Sequence, residues 1–184
     1  ETDIDNMVEK LVNYETNAGT GAWKKRVSFV ADNAFDSSGQ PDLAGNFWDL
    51  SEEVAGDSYY FPSPMIPKRL YLNPCTDTVS YPWCDISSYA PPYTSAGAIR
   101  TDLLQQMNDG ALIVNFVGHG SLAQWTAGIL KNTDGPLIQP NGYKFAFMMP
   151  MTCLEGYFHS SNENSVSEAL VKQANGGARI RVEL

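Results

Sequence analysis

Basic residues are scarce in this chain: 12 lysines and arginines stand against 21 aspartates and glutamates, a formal net charge of −9. Such a balance offers no basic face for a phosphate backbone and excludes nucleic acid as the expected partner. Acidity of this size usually serves solubility, and it is compatible with basic partners or substrates. No apolar run approaches the roughly 18 residues that would cross a bilayer, so no transmembrane segment is expected. The chain begins with Glu1 rather than Met and shows no secretory leader, so it reads as a processed or excised piece. Histidine occurs only at 119 and 159, and cysteine only at 75, 84 and 153. That set has no zinc-ligand spacing, and no glycine-rich phosphate fingerprint opens a helix after a strand. There is no EF-hand loop; Asp36, Asp42, Glu52 and the polar stretch 162–164 leave a structural calcium ion open. No cofactor is required by anything in the sequence.

What is present describes a globular fold. Hydrophobic residues make up 43% and charged residues 18% of 184 residues, enough for one domain with a full core. Met7, Val8, Leu11, Val12 and Tyr14 follow helical spacing and predict a first helix. Val27–Ala31 predicts a buried strand closed by Asp32. A helix is expected from about Asp42, its inner face formed by Leu43, Phe47, Leu50 and Val54. Leu70–Leu72 reads as a strand, and 74–94 as an irregular surface insertion. A helix is expected from about Ser95, with Ile99, Leu103 and Met107 inward. Leu112–Val117 and Lys144–Met151 are continuous apolar runs, as central parallel strands are. Short helical turns are expected between them. Ser165 and Glu168 fit a capping box for a last helix, stopped by Gly176 and Gly177. Ile180, Val182 and Leu184 alternate as an edge strand would. Alternating strands and helices imply a mostly parallel sheet with helices on both faces, a three-layer α/β sandwich. The chain opens on a helix, so one strand of a complete array is expected to belong upstream.

The chemistry gathers at two strand ends. His119 follows one apolar run, in Gly118-His119-Gly120-Ser121, and Cys153 follows another, in Met151-Thr152-Cys153-Leu154-Glu155-Gly156. Adjacent parallel strands would present both at the carboxyl edge of the sheet, where α/β proteins bind ligands. A thiol beside an imidazole is the minimal apparatus for covalent attack on a carbonyl. The N–H groups of Gly120 and Cys153 are the natural oxyanion donors. Asp32 ends the neighbouring strand and would either orient His119 by accepting a ring N–H or merely form a turn. Asp42, by position, caps a helix. Cys75 and Cys84 flank a segment without helical or strand period. A disulfide there would close a loop of about ten residues and contribute about 2–3 kcal/mol, the alternative being two free thiols. A bridge would indicate an oxidising compartment and leave Cys153 as the odd, reactive thiol.

The motifs Asn115–Ser121, Trp125, and Thr152–Phe158, with Ser167–Leu170 followed by Gly176-Gly177, resemble the gingipain family. These are secreted bacterial cysteine peptidases of the caspase-like clan. The resemblance covers most of the chain and is weakest from Asn73 to Thr94. It implies a caspase-like fold, His119 as catalytic imidazole and Cys153 as nucleophile. Asp32 falls where the family has an acid supporting the histidine, and Asp42 near its acidic specificity position. Val117 and Met151 would line the pocket for the residue preceding the cut. Family members continue beyond this stretch with sequence that helps wall that pocket, so 1–184 is expected to be a catalytic subdomain of a longer precursor with flanking domains.

The leading expectation is therefore an extracellular or cell-surface cysteine endopeptidase acting on proteins or peptides, with cleavage after Arg or Lys as the implied preference. A secretion-associated transpeptidase would use the same pair of residues with an amine as acceptor. A non-catalytic caspase-like binding module of a surface protein is the non-enzymatic alternative.

Overall fold

The computed structural model describes residues 2–36, 38–57, 60–75, 93–174 and 176–180. Its elements run α1 Thr2–Asn17, β1 Arg26–Ala31, α2 Phe47–Ala55, β2 Ile66–Tyr71, α3 Ala96–Asp109, β3 Ile113–Val117, β4 Ala146–Met151, α4 Val166–Lys172 and β5 Ala178–Ile180. Among the described residues, short 3-10 turns at Ala22–Lys25, Thr126–Gly128 and Asn132–Leu137 fill connections. The five strands are all parallel, in the order β2-β1-β3-β4-β5. In such an order the chain reverses direction across the sheet between β1 and β3, and a crevice opens at their carboxyl ends.

Side-chain alternation divides the core into two layers. Val27, Phe29 and Ala31 of β1 meet Phe47, Trp48 and Ala55 of α2 on one face. On the other face Val30, Val114, Phe116 and Met148 pack with Ile99, Leu103 and Met107 of α3 and Val166 and Leu170 of α4. Each such buried side chain contributes about 1.5–3 kcal/mol relative to exposure. The result is the expected three-layer sandwich, with α3 starting at its Ser95 cap and α4 at Ser165, whose hydroxyls accept from Ala98 N–H and Glu168 N–H.

Two helices depart from what apolar periodicity alone suggests. α1 turns Val8, Leu11 and Val12 outward, each half-exposed or more, and buries Lys10 instead. The Lys10 ammonium donates to Leu170 O at 3.0 Å and Gly176 O at 3.3 Å, at the end of α4 and the glycine turn beyond it. Helix α2 begins at Phe47, not near Asp42, because Asn46 is the cap: its Oδ1 accepts from the N–H groups of Trp48 and Asp49. Leu43 consequently lies in the preceding loop, fully exposed, and Leu50 and Val54 face solvent while Trp48 is wholly buried. β2 starts earlier than expected, at Ile66. Cys75 is disulfide-bonded and Cys153 is free. Cys84, most of the 74–94 insertion, and residues 181–184, with Val182 and Leu184, lie outside the described residues.

Candidate active site

β3 and β4 run side by side in register, Val117 opposite Met151. Two residues beyond those partners stand His119 and Cys153, both exposed. Gly118 N–H donates to Met151 O at 3.4 Å, extending the pairing past the strand ends. The two loops then touch. A Cβ placed on Gly120 would fall 2.4 Å from Thr152 Oγ1, so glycine is what lets the histidine loop and the cysteine loop approach this closely. Gly118 is constrained on its other side: with φ at +157°, a Cβ there would lie 2.4 Å from Asp32 Cβ. The imidazole and the thiol therefore emerge from one sheet edge on loops in contact.

His119 is held differently from expectation. Asp32, only 1% exposed, does not reach the ring. Its Oδ2 accepts from the main-chain N–H of His119 at 3.1 Å, and its Oδ1 accepts from Asn33 N–H and Asn33 Nδ2. The Thr126 hydroxyl lies between Asp32 Oδ2 and His119 O and, with one proton, donates to one of them at a time. A carboxylate at the end of β1 is too deep to meet a side chain that points out of the sheet edge; it fixes the loop's backbone instead.

The ring's carboxylate partner is Asp42, with Oδ2 2.8 Å from Nε2. Asp42 sits in the loop before α2 and is pinned there: its N–H donates to Ala34 O, and its Oδ1 accepts from Ala44 N–H at 2.8 Å. Those bonds, first the Ala44 N–H and then the imidazole, hold its carboxyl below the ordinary value. Phe47 lies edge-on to the ring, 5.3 Å between centroids. A carboxylate only accepts, so Nε2 is the donor in this bond, and in the neutral ring Nδ1 keeps its lone pair. Among the described residues no group of three or more His, Cys, Asp or Glu is arranged to hold a metal ion.

The two oxyanion candidates differ in what surrounds them. Gly120 pairs with Trp125 in an antiparallel bridge whose hydrogen bonds, Ser121 N–H to Gln124 O and Thr126 N–H to His119 O, fall on either side of it. Its own N–H is not consumed by that pairing. Cys153 precedes Leu154, a non-glycine residue at φ +60°, a conformation that concentrates at functional sites. Of the two expected pocket residues, Met151 is 66% exposed at the end of β4, whereas Val117 is 7% exposed and belongs to the core under α2. As the last residue of β3, Val117 shares a buried cluster with Phe47 and Trp48 of α2. Leu154, Tyr157 and Phe158 stand exposed in the loop that carries Cys153.

Sequence reading missed three participants. Phe47 read only as core, and Thr126 gave no signal. Glu155 stands inside the cysteine motif without a role of its own in the sequence reading, yet it is 3% exposed. The clue was Trp125, whose indole N–H needs an acceptor once buried; it donates to Glu155 Oε2 at 2.9 Å.

Comparisons with known proteins agree with this architecture. The structure is similar to that of the Arg-specific cysteine proteinase gingipain R, with a TM-score of 0.65 and 15% identity over 97% of this chain and 36% of that one. It is similar to the complex of the pro- and mature domains of Porphyromonas gingivalis RgpB, with a TM-score of 0.58 and 14% identity over 98% of this chain and 37% of that one. A third solved structure, of a protease, gives a TM-score of 0.62 and 16% identity over 96% of this chain and 32% of that one. At these identities the likeness shows a shared caspase-like fold. The chain spans about a third of the length of each solved relative. No curated protein matches it by sequence. A family model does: the description peptidase family C25 matches residues 1–181, and with nearly the whole chain covered, the chain belongs to that family.

Proposed function

We propose that this chain carries the catalytic centre of a cysteine endopeptidase in which His119 and Cys153 form the working pair. One observation carries the reading: the loops after β3 and β4 meet at Gly120 and Thr152, which holds the imidazole and the thiol at a common edge. His119 Nδ1 takes the thiol proton, and the thiolate attacks the scissile carbonyl carbon. The carbonyl electrons move to oxygen, and the N–H groups of Gly120 and Cys153 receive that oxyanion. Collapse breaks the C–N bond while the imidazolium gives its proton to the leaving amine. Water, deprotonated by the same ring, then attacks the thioester, and the C–S bond breaks as Cys153 is reprotonated. Asp42 is the positioning residue that keeps Nε2 protonated and stabilises the imidazolium; Asp32 and Thr126 hold the loop from which the ring projects.

Gingipain R is Arg-specific, and the family resemblance gives Asp42 the specificity role for Arg or Lys. Here that carboxylate serves the imidazole, so a basic side chain entering the site competes with His119 for it. Secretion is part of the same proposal: the disulfide at Cys75 suits an oxidising compartment. The existence of pro- and mature domains in RgpB supports flanking domains of one precursor.

Active-site labelling of the full-length protein tests the proposal. A peptidyl electrophile should modify Cys153 in the native state, and Cys153→Ala should abolish both labelling and turnover without lowering thermal stability. A native thiol that ignores the probe while the denatured chain reacts would assign the fold a binding role instead.

A further inference from the structure

We infer that Glu155 is a positioning residue of this centre: its buried carboxylate ties the nucleophile loop to the histidine loop and to α4, and so sets where Cys153 stands relative to His119. The inference rests on the Cys–His reading proposed above and names a residue which that mechanism does not use.

Glu155 is 3% exposed, yet its two bonds come from neutral donors: Trp125 Nε1 at 2.9 Å to Oε2 and Ser167 Oγ at 2.6 Å to Oε1. Among the described ion pairs it has no lysine or arginine partner. A carboxyl buried in this way is costly compared with an apolar side chain of the same size. Burial accordingly pushes its titration upward, against the pull of the Ser167 and Trp125 donors. Packing alone does not call for an acid here. What an acid supplies, and leucine or methionine would not, is two directed bonds to two separate elements.

Those elements are the ones that matter. Trp125 closes the turn that begins at His119, through its bridge to Gly120. Its ring is wholly buried and stacked on Phe116 of β3, 4.3 Å between centroids and 4° between planes, so the direction of its N–H is fixed by the sheet. Ser167 lies in the first turn of α4, a separate element that packs in the same core layer as Trp125. Between Cys153 and Glu155 stands Leu154, whose left-handed φ of +60° costs an L-residue about 1 kcal/mol or more. Leu154 is 50% exposed, so its own side chain does not hold it in that conformation. The anchor one residue on does.

Kinetics on the full-length protein decide the matter, using Glu155→Ala, Glu155→Gln and Ser167→Ala beside the parent. Displacing the thiol by about 1 Å should lower kcat of Glu155→Ala by about 10²-fold, with KM within about threefold of the parent. Peptidyl-electrophile labelling of Cys153 should slow in parallel. Glu155→Gln should restore most of the loss, because its carbonyl can accept from Trp125 while its amide donates to Ser167 Oγ. Ser167→Ala should fall between. A parent-like kcat in Glu155→Ala, or a loss confined to thermal stability, overturns the inference; so does a glutamine variant as impaired as alanine. Should Glu155→Ala fail to fold, Glu155→Gln and Ser167→Ala carry the same comparison: an intermediate kcat loss in Ser167→Ala with parent-like Glu155→Gln supports it, and any other pattern overturns it. Absence of labelling in the parent protein sinks the peptidase reading itself, whereas a labelled parent with an unchanged Glu155→Ala rate sinks only the role of Glu155.

Discussion

Asp32 and Asp42 are the same residue type at the same sheet edge, and their surroundings divide the work between them. Asp32 is buried and spends its oxygens on main-chain and side-chain donors that shape the loop after β3. Asp42, with 11% of its side chain exposed, meets the half-exposed ring of His119. Removing each should therefore fail differently. Asp32→Ala leaves several donors without an acceptor and should cost about 2–3 kcal/mol of stability, read as a lowered urea midpoint. Asp42→Asn keeps the shape but offers the ring an amide in place of a charge. It should lower kcat by about tenfold or more on every substrate, with a smaller drop in the urea midpoint than Asp32→Ala gives; a loss confined to Arg or Lys substrates would return Asp42 to a specificity role. Its titration has a definite sign. The folded carboxyl sits below its ordinary 3.8, so what the Asp42 bonds contribute is fully present above that pH and disappears as acid drives titration through the lowered value. The neutral range should show no Asp42-dependent change. None of this division was legible in the sequence: Asp32 and Asp42 each follow turn-forming rules, and only the depth of β1 decides which reaches the ring.

At the scale of elements, the strands were readable and two helix faces were not. β3 and β4 announce themselves as unbroken apolar runs because central parallel strands are covered on both sides. α1 misleads because periodicity reports an amphipathic helix without naming the face that packs. Val8, Leu11 and Val12 point outward, while the Lys10 ammonium is drawn in to the carbonyls of Leu170 and Gly176. For α2, Asp42 looked like the cap, but its carboxylate is committed to Ala44 N–H and His119, and Asn46 performs that task. Burial lowers the Lys10 ammonium to about 8 from 10.5. Between those values the unfolded chain binds the extra proton, so this residue's contribution to stability rises as pH climbs through that window. Lys10→Met should abolish the rise. At neutral pH it should also leave the carbonyls of Leu170 and Gly176 short of a donor, a loss of about 1–3 kcal/mol. Urea unfolding at pH 7.5 and 9.5 on both proteins measures each effect; a parallel pH response in the two would remove Lys10 from the account.

At the scale of the whole molecule, the described residues cover the two faces of the sheet unequally. α3, α4 and the short turns close one face, whereas on the other α2 packs over β1, Tyr71 and the end of β3. Met149 and Met151 of β4 remain 37% and 66% exposed, next to Leu154 and Phe158 at 50% and 55%. That apolar surface adjoins the free thiol, and soluble proteins rarely leave a broad patch of this kind without a use. The family resemblance anticipated a pocket wall here, and Met151 stands where such a wall would meet a substrate side chain. A hydrophobic dye such as ANS should therefore bind this edge of residues 1–184. Met149→Gln combined with Met151→Gln should cut the bound fluorescence severalfold while leaving the fold intact, since neither side chain is part of the buried core. Covalent capture of Cys153 by a peptidyl electrophile with an apolar side chain should displace the dye in the parent protein. Dye binding that survives both the double substitution and the capture would place the sticky surface elsewhere, the outward stripe of α1 first, and would separate the Met151 edge from substrate recognition.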